Sequence, residues 1–494
     1  MAYEYRLPPS ASSLVASMRD LGYSFETAIA DLIDNSITAE SSTLEIFCDL
    51  ASDCPAIVII DNGIGMKADE VVAAMRHGST SPRKDRSSSD LGRFGLGMKT
   101  ASFSQCRRMT VVSAQGGKIS GAEWDLDLVD DRDDWVISVQ EPQEIYGLPY
   151  VDRLRDNGTI VIWRTLDRLF ENETGRKRDE IVNDKLDRLE KHLSLVFHRF
   201  ISGEFKNRKK LAISINGHIV EPFDPFCRKN TATQILPEEI VKIGEEIVRL
   251  QPFILPHHSK LTAREYDYYQ SRSDFISNQG IYVYRDGRLI AWGDWFRIIA
   301  KGEKTKLARV QIDFPNSLDD SWIIDIKKSY VRAPQAVKER LRQILLTIVE
   351  RSSLVHSGRG RRLYEEVEAP IWERYADHGS IRYALNREHP LVEALAQLID
   401  EAGFSKLETY MTAISSSLPI DTIYSDFSTH PKMVQQSDIE DADIIKKLFE
   451  FKDFLFSDTK GDAEVFRKVV QSTRLFDKHL TLMKEFINKE FAQS

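Results

Sequence analysis

The first residues that could do chemistry lie in the segment 28–36. Asp31 and Asn35 are four residues apart in a stretch of helical periodicity, so both side chains lie on one helix face. Leu32 and Ile33 belong to the opposite, core-facing side. A carboxylate and an amide stacked in this way can hold a metal ion and orient a water molecule. Taken alone, two solvated side chains on a helix face are the alternative.

A second segment, 61–66, directly follows the apolar run 56–60, which predicts a buried strand. Asp61 places a carboxylate at the strand end, and Gly63 and Gly65 allow backbone to approach a planar ligand. This arrangement suits recognition of an exocyclic amine such as that of adenine. An ordinary Asp-Asn-Gly turn is the alternative for this hexapeptide.

The third segment combines glycines with a lysine and leads into a predicted helix. It reads Gly92-Arg93-Phe94-Gly95-Leu96-Gly97-Met98-Lys99-Thr100. Glycines at a helix start expose backbone N–H groups and the ammonium adds a point charge, so phosphate oxygens are the expected ligands. The GK[ST] ending of a Walker A loop is missing, and no strand abuts the first glycine as in a Rossmann fingerprint.

The elements around these segments predict an α/β sandwich over about the first 165 residues, with helices entering before the strands. Residues 77–93 are rich in Ser, Gly and charge and predict a long mobile loop. The periodicities predict a helix through Leu14, Val15 and Met18 and a second helix that Ser24 caps and that runs to Ile33. They also predict strands at 44–47, 56–60, 109–114, 135–140 and 159–164.

The remainder of the chain divides into a strand-rich stretch and a helical one. A helix at 185–200 precedes predicted strands at 211–215, 280–284, 307–314 and 322–326, a hairpin turn at 285–287 and a helix at 334–351. Beyond about residue 352 strand signals fade and helical ones dominate. We therefore predict three domains, 1–170, 171–350 and 351–494, in line with a chain of 494 residues at about 150 per domain.

Composition limits the classes of protein that remain. Lys and Arg total 67 against 76 Asp and Glu, a formal charge of −9, which argues against an overall basic coat but leaves room for a local basic groove. Candidate basic patches are 206–210 and 359–362, with a solvated surface as the default interpretation of each. The four cysteines are scattered, and no apolar run is long enough for a membrane helix, so we expect a soluble cytoplasmic protein with no membrane association.

The order and spacing of the three segments resemble the ATP-binding domain of the GHKL superfamily, which includes gyrase B, the ninety-kilodalton heat-shock chaperones, histidine kinases, MutL and the MORC proteins. Gly158-Thr159 resembles the superfamily's later strand, whose threonine helps to bind the adenine-side aspartate and a water. The text DLGRFGLGMKTAS is most similar to MORC-type and related prokaryotic ATPases. The resemblance implies an α+β chain: a GHKL (Bergerat) α/β sandwich, an S5-like transducer and a mainly helical C-terminal region.

The resemblance also implies that ATP and Mg²⁺ are the cofactors. Asn35 would bind Mg²⁺, Asp61 would accept the adenine amino proton, and Thr159 would support it. Gly63, Gly65 and the neighbouring Met66 would line the base. The residues expected to wrap the β- and γ-phosphates are Gly92, Arg93, Phe94, Gly95, Leu96, Gly97, Met98 and Lys99.

One predicted catalytic position departs from the superfamily pattern, and a second leaves two candidate residues. Asp31 stands where these ATPases commonly carry the glutamate that orients the attacking water, and aspartate is one methylene shorter. Asp34 is the alternative base, although we expect it to face solvent. Lys328 is the basic residue that we expect the transducer to send into the ATP site, with Lys327 as the alternative.

The function implied by the resemblance is an ATPase that works as a conformational switch. ATP would order the long loop and gate a homodimer, and slow hydrolysis would release it. We expect a DNA-associated process (repair, compaction or bacterial defence) and a protein partner on the C-terminal helices. The alternatives are a chaperone-like remodelling ATPase and a nucleotide-binding regulatory subunit with little turnover.

Overall fold

A computed structural model of the chain describes most of its residues. They are 9–50, 54–77, 91, 97–170, 176–257, 260–272, 278–302, 305–324, 331–345, 347–348, 370–377, 380–429, 433–434, 443–456 and 461–491. The chain forms two compact units, Met1–Ser352 and Ser353–Ser494. The boundary predicted at 350/351 lies beside this division, and the boundary predicted at 170/171 falls within the first unit.

A mixed sheet dominates the N-terminal part of the first unit. In the described residues its strands are β1 (Thr43–Asp49), β2 (Ala56–Asp61), β3 (Arg108–Gln115), β4 (Lys118–Asp125), β5 (Ser138–Gln140), β6 (Gly158–Arg164), β7 (Ala212–Ile215) and β8 (His218–Ile219). They are arranged β5-β4-β3-β6-β2-β1-β7-β8. The pair β1 and β7 is parallel, so a segment from the predicted second domain completes this first sheet.

Helices cover the first sheet mainly on one face. They are α1 (Ala11–Arg19), α2 (Phe25–Thr38), α3 (Ala68–Met75), α4 (Gly97–Phe103), α5 (Leu126–Arg132), α6 (Pro142–Tyr146), α7 (Arg176–Val196) and α8 (His198–Ser202). Successive side chains of β2 point to opposite faces of the sheet. Ile57 and Ile59 join the large core under the helices, whereas Val58 and Ile60 join a smaller core that includes Ile145 of α6.

The N-terminal predictions are largely confirmed. Helix α2 begins where expected, because the Ser24 side chain accepts a hydrogen bond from the Thr27 backbone N–H. The strand predicted at 135–140 is reduced to Ser138–Gln140. The side chains of Trp135 and Ile137 instead pack against the large core. Their apolar character therefore reflects burial and not a place in a β-strand.

A second sheet follows in the first unit. Its described strands are β9 (Gln234–Ile235), β10 (Glu239–Ile243), β11 (Glu246–Ile254), β12 (Gly280–Arg285), β13 (Arg288–Asp294) and β14 (Ala308–Phe314). The order is β10-β11-β14-β12-β13, with β9 on β11. The hairpin predicted at 285–287 joins β12 and β13. Helices α9 (Ala263–Arg272) and α10 (335–345) and the short strands β15 (Ile323–Ile324) and β16 (Val331–Arg332) complete the unit as described.

The second unit contains a β-hairpin as well as helices. Its elements are β17 (Trp372–Asp377), β18 (Ser380–Leu385), α11 (Pro390–Leu398), α12 (Glu401–Ser416), α13 (Ile420–Thr429), α14 (Ile444–Phe456), α15 (Ala463–Thr473) and α16 (Leu480–Phe491). The expectation that strands fade after residue 352 is therefore wrong for β17 and β18, which pair over six residues each. Nowhere in the described parts of the chain is a helix both long enough and apolar enough to cross a bilayer.

Candidate functional site

The carboxylate of Asp61 lies at the end of β2, between β1 and β6. Ser36 of α2 donates a hydrogen bond to Oδ2 at 2.8 Å, and the Gly63 backbone N–H donates one to Oδ1 at 2.9 Å. Burial raises the pKa of Asp61, while hydrogen bonds from Gly63, Ser36 and Thr159 act in the opposite direction. The carboxylate is thus fixed in orientation by several donors, as an acceptor for a ligand amine must be.

Ser113 of β3 joins this group, although the sequence analysis did not single it out. Its hydroxyl is fully buried, accepts from the Met66 N–H at 2.9 Å, lies 2.9 Å from the Thr159 hydroxyl and donates to the Gly158 carbonyl. The available signal was a serine within the strand predicted at 109–114. We call Asp61, Gly63, Gly65, Ser113 and Thr159 the adenine end of the site.

The two glycines of the adenine end are required by the protein's own backbone. Gly65 has a φ of +70°, and an added Cβ would lie 1.8 Å from the Ala114 carbonyl oxygen of β3. At Gly63 an added Cβ would lie 2.8 Å from the Ala39 carbonyl oxygen and 3.0 Å from Asp61 Oδ1. The glycines therefore let the turn after β2 close against β3 and the end of α2, which shapes the surface offered to a base.

Asp31 and Asn35 share one face of α2, as predicted. Asp31 is 3% exposed, and the Tyr23 hydroxyl donates to its Oδ2 at 2.9 Å. A Cβ at Gly97 would lie 3.3 Å from the same oxygen, so the start of α4 packs directly on this carboxylate. Asn35 is exposed. Tyr23 is a second residue that the sequence analysis missed, because only the fold brings it to Asp31.

The exposed amide of Asn35 suits a magnesium ion, which prefers oxygen ligands and commonly takes one or two from protein and the rest from phosphates and water. Among the described residues, no three His, Cys, Asp or Glu side chains gather into a metal-binding cluster. A single exposed amide oxygen fits an ion that takes its other ligands from a nucleotide and water.

Asp34 does not face solvent, so that expectation was wrong. It is 1% exposed, and its Oδ1 lies 3.2 Å from the Nε of Arg288 on β13. The periodicity of α2 could not reveal this, because the second sheet covers a side of the helix that would otherwise be exposed.

Lys99 lies on α4 with its ammonium turned toward the end of α3. It donates to the carbonyls of Ala74 at 2.9 Å and Arg76 at 3.0 Å, and burial lowers its pKa to about 8. The predicted phosphate contact therefore requires the ammonium to exchange these carbonyls for a nucleotide. We call Asp31, Asn35, Leu91, Gly97 and Lys99 the phosphate end of the site.

Other predicted residues of the phosphate end have no described position. Gly92, Arg93, Phe94, Gly95 and Leu96 lie outside the described residues, as do Lys327 and Lys328. Met98, on α4, and Met66, before α3, are partly buried against the large core. These two methionines therefore support the site from the protein side.

His77, at the front of the predicted loop, packs into an aromatic cluster. Its ring centroid lies 4.8 Å from that of Trp135, 5.3 Å from that of Trp124 and 5.7 Å from that of Phe103. Burial, with a contribution from the charge of Lys99, lowers the pKa of His77 to about 4. The imidazole is thus neutral at physiological pH and supports packing beside the phosphate end.

The described residues that are predicted to bind a nucleotide thus include Asp31 and Asn35 on α2, the carboxylate at the end of β2 and the threonine on β6. Residues 23–159 match the sequence profile of the family described as histidine kinase-, DNA gyrase B- and HSP90-like ATPases. Residues 23–159 of this chain thus resemble the ATP-binding domains of that family.

Two characterised relatives share shorter stretches with this chain. It is 31% identical to the ATPase MORC2B of Mus musculus over 79 residues, which are 15% of this chain and 8% of that protein. It is 30% identical to the chaperone protein HtpG of Salinispora arenicola (strain CNS-205) over 109 residues, which are 20% of this chain and 17% of that protein. The similarity thus spans a small part of either relative.

Proposed function

We propose that the protein binds ATP with Mg²⁺ at this site and hydrolyses it slowly to ADP and phosphate. The observation that carries the proposal is the partly buried Asp61 carboxylate, which Ser36 of α2 and Gly63 orient through hydrogen bonds. It lies within the segment that matches the ATPase family.

In this proposal each group has a defined task. Asp61 accepts the adenine amino proton, with Thr159 and Ser113 beside it. Asn35 holds Mg²⁺, which would neutralise phosphate charge. Asp31, oriented by the Tyr23 hydroxyl, positions the attacking water. Phosphoryl transfer depends mainly on such positioning and charge neutralisation, so the shorter carboxylate at position 31 suits slow turnover.

Residues 92–99 wrap the β- and γ-phosphates in the proposed complex, and Lys328, or alternatively Lys327, adds a positive charge to these phosphates. We propose that this second region is an S5-like transducer. It passes nucleotide-dependent changes from the ATPase domain to the rest of the protein, which forms a homodimer when ATP is bound.

The proposed process is DNA-associated. The similarity to the ATPase MORC2B, within the resemblance to MORC-type proteins, supports this assignment. So do Lys206, Lys209 and Lys210, which are exposed on the loop between α8 and β7 and could contact a phosphate backbone. The second patch, 359–362, lies outside the described residues. A protein partner on the C-terminal helices is supported by exposed Ile420, Ile423 and Tyr424 of α13.

A chaperone-like remodelling ATPase is the second candidate, and the similarity to the chaperone HtpG favours it. Phosphate release measured with plasmid DNA and, separately, with an unfolded protein distinguishes the two. We expect DNA to stimulate turnover, whereas stimulation by the unfolded protein alone would favour the chaperone. Light scattering with a non-hydrolysable ATP analogue tests the dimer: an unchanged monomeric mass contradicts nucleotide gating.

A further inference from the structure

Two buried arginines on the hairpin of β12 and β13 connect the second sheet to the nucleotide site. Arg285 ends β12 and is 3% exposed, and Arg288 begins β13 and is 5% exposed. The turn between them is closely packed, since an added Cβ at Gly287 would lie 2.1 Å from the Phe205 ring. The hairpin therefore presents both guanidinium groups from a fixed position.

Arg288 contacts the helix that carries the predicted catalytic and metal-binding side chains. Its Nε lies 3.2 Å from Asp34 Oδ1, and its guanidinium lies over the Phe197 ring at 5.2 Å. Asp34 is three residues after Asp31 and one before Asn35, within one helical turn. A contact that fixes Asp34 therefore fixes the rotation of α2 about its axis, and with it the direction of both neighbouring side chains.

Arg285 contacts the chain just before the glycine segment. Its Nη1 donates to the Leu91 carbonyl at 3.1 Å, while Nε and Nη2 donate to the two carboxylate oxygens of Asp319, each at 2.7 Å. The Leu91 N–H is directed at the Thr38 hydroxyl of α2 at 3.4 Å. Leu91 is thus held between α2 and the hairpin, immediately ahead of Gly92.

We infer that Asp34, Arg285 and Arg288 are positioning residues of the ATP site, which hold α2 and Leu91 from the second sheet. The inference rests on the proposed ATPase function. A buried ion pair is in general weak evidence of stability, because desolvation of both charges opposes their attraction. Asp34, the acidic member of the pair with Arg288, lies between Asp31 and Asn35 in the sequence, so the pair can set the orientation of both side chains. Arg285, on the same hairpin, contacts Leu91 directly ahead of the predicted phosphate-binding segment.

The test separates alignment from folding. Arg288→Met alone leaves the Asp34 charge buried without this partner and is expected to lower thermal stability. The double variant Asp34→Asn with Arg288→Met removes both charges at similar volume, so it should melt close to the wild type. We expect this folded double variant to bind ADP within about threefold of the wild type but to release phosphate from ATP roughly tenfold more slowly.

Arg249→Met is the matched control, because Arg249 forms an exposed pair with Glu238 on the same second sheet. It should change neither ADP binding nor turnover. If the folded double variant hydrolyses ATP within about twofold of the wild type, the pair is merely structural and the inference is wrong. Absence of ATP binding or hydrolysis in the wild type, measured first, contradicts the proposed function and the inference together.

Discussion

The adenine end of the site is held by contacts within the first sheet and α2, whereas the phosphate end is also held from the second sheet. Asp61, Ser113 and Thr159 meet across adjacent strands. Leu91 instead receives a hydrogen bond from Arg285, and α2 meets Arg288. Under the proposed function, base recognition would therefore be complete within the first sheet and α2, whereas the geometry for hydrolysis would also depend on the placement of the second sheet.

The largest effect is expected at the adenine end. Asp61→Asn should weaken ATP binding about 100-fold, because an amide N–H replaces an acceptor that is partly buried and oriented for an amine. Calorimetry with ATP and with ADP measures it. Asp131→Asn, at an exposed position in α5, is the control. Equal loss for both variants, or full-strength binding by Asp61→Asn, contradicts the assignment of Asp61.

The next effect should separate the two ends. Asp31→Asn keeps the volume of the side chain but removes its charge, so we expect ADP binding to persist while turnover falls about 50-fold. Tyr23→Phe, which removes only the hydroxyl that orients Asp31, should lower turnover by a smaller factor. Phosphate release and calorimetry on the same preparations check this. If the turnover of Asp31→Asn is unchanged, a group other than Asp31 positions the water.

A glycine pair tests how rigid the adenine end is. Gly65→Ala and Gly116→Ala both place alanine at positive φ, but a Cβ at Gly116 meets nothing within 4 Å whereas one at Gly65 meets the Ala114 carbonyl. We expect Gly65→Ala to cost roughly 2 kcal/mol more in free energy of unfolding than Gly116→Ala and to weaken ATP binding. Urea denaturation measures the difference. Equal stabilities would mean that the turn relaxes freely.

The smallest effect is a pH dependence beside the phosphate end. The pKa of His77 is about 4 in the folded protein, against 6.5 for an ordinary histidine, so folding favours the neutral ring. Its contribution is complete above pH 6.5 and is lost as the pH falls toward 4. Because the ring is only partly buried, we expect a loss of roughly 1.5 kcal/mol.

The measurement for His77 is the difference in unfolding free energy between the wild type and His77→Phe across pH 4 to 7. The free energy of unfolding of the wild type should fall relative to that of His77→Phe as the solution becomes more acidic. His218→Phe, at an exposed position on β8, controls for removal of an imidazole. A difference that stays constant over this range shows that His77 does not titrate as proposed.

Sequence patterns predicted the helix and strand on which the candidate site residues lie. Asp61, Gly65 and Asn35 could be placed because each lies on or next to a strand or helix with a clear hydrophobic period, and their roles stay predictions. Partners brought together only by folding could not be predicted in this way. Asp34 and Arg288 are 254 positions apart, and a charged residue in an amphipathic helix reads as solvent-facing until its covering sheet is known.

The placement of β7 and β8 determines which residues a fragment with a complete first sheet must contain. These strands pair with β1, and Leu211, Ile213, Ile215 and Val220 contribute to the large core. A fragment ending at residue 170 would lack β7 and would expose the edge of β1. An exposed strand edge promotes aggregation, because it can pair with another molecule. During synthesis, too, the first sheet stays incomplete until residue 219 has left the ribosome, so translation of the following region sets when this sheet can finish folding.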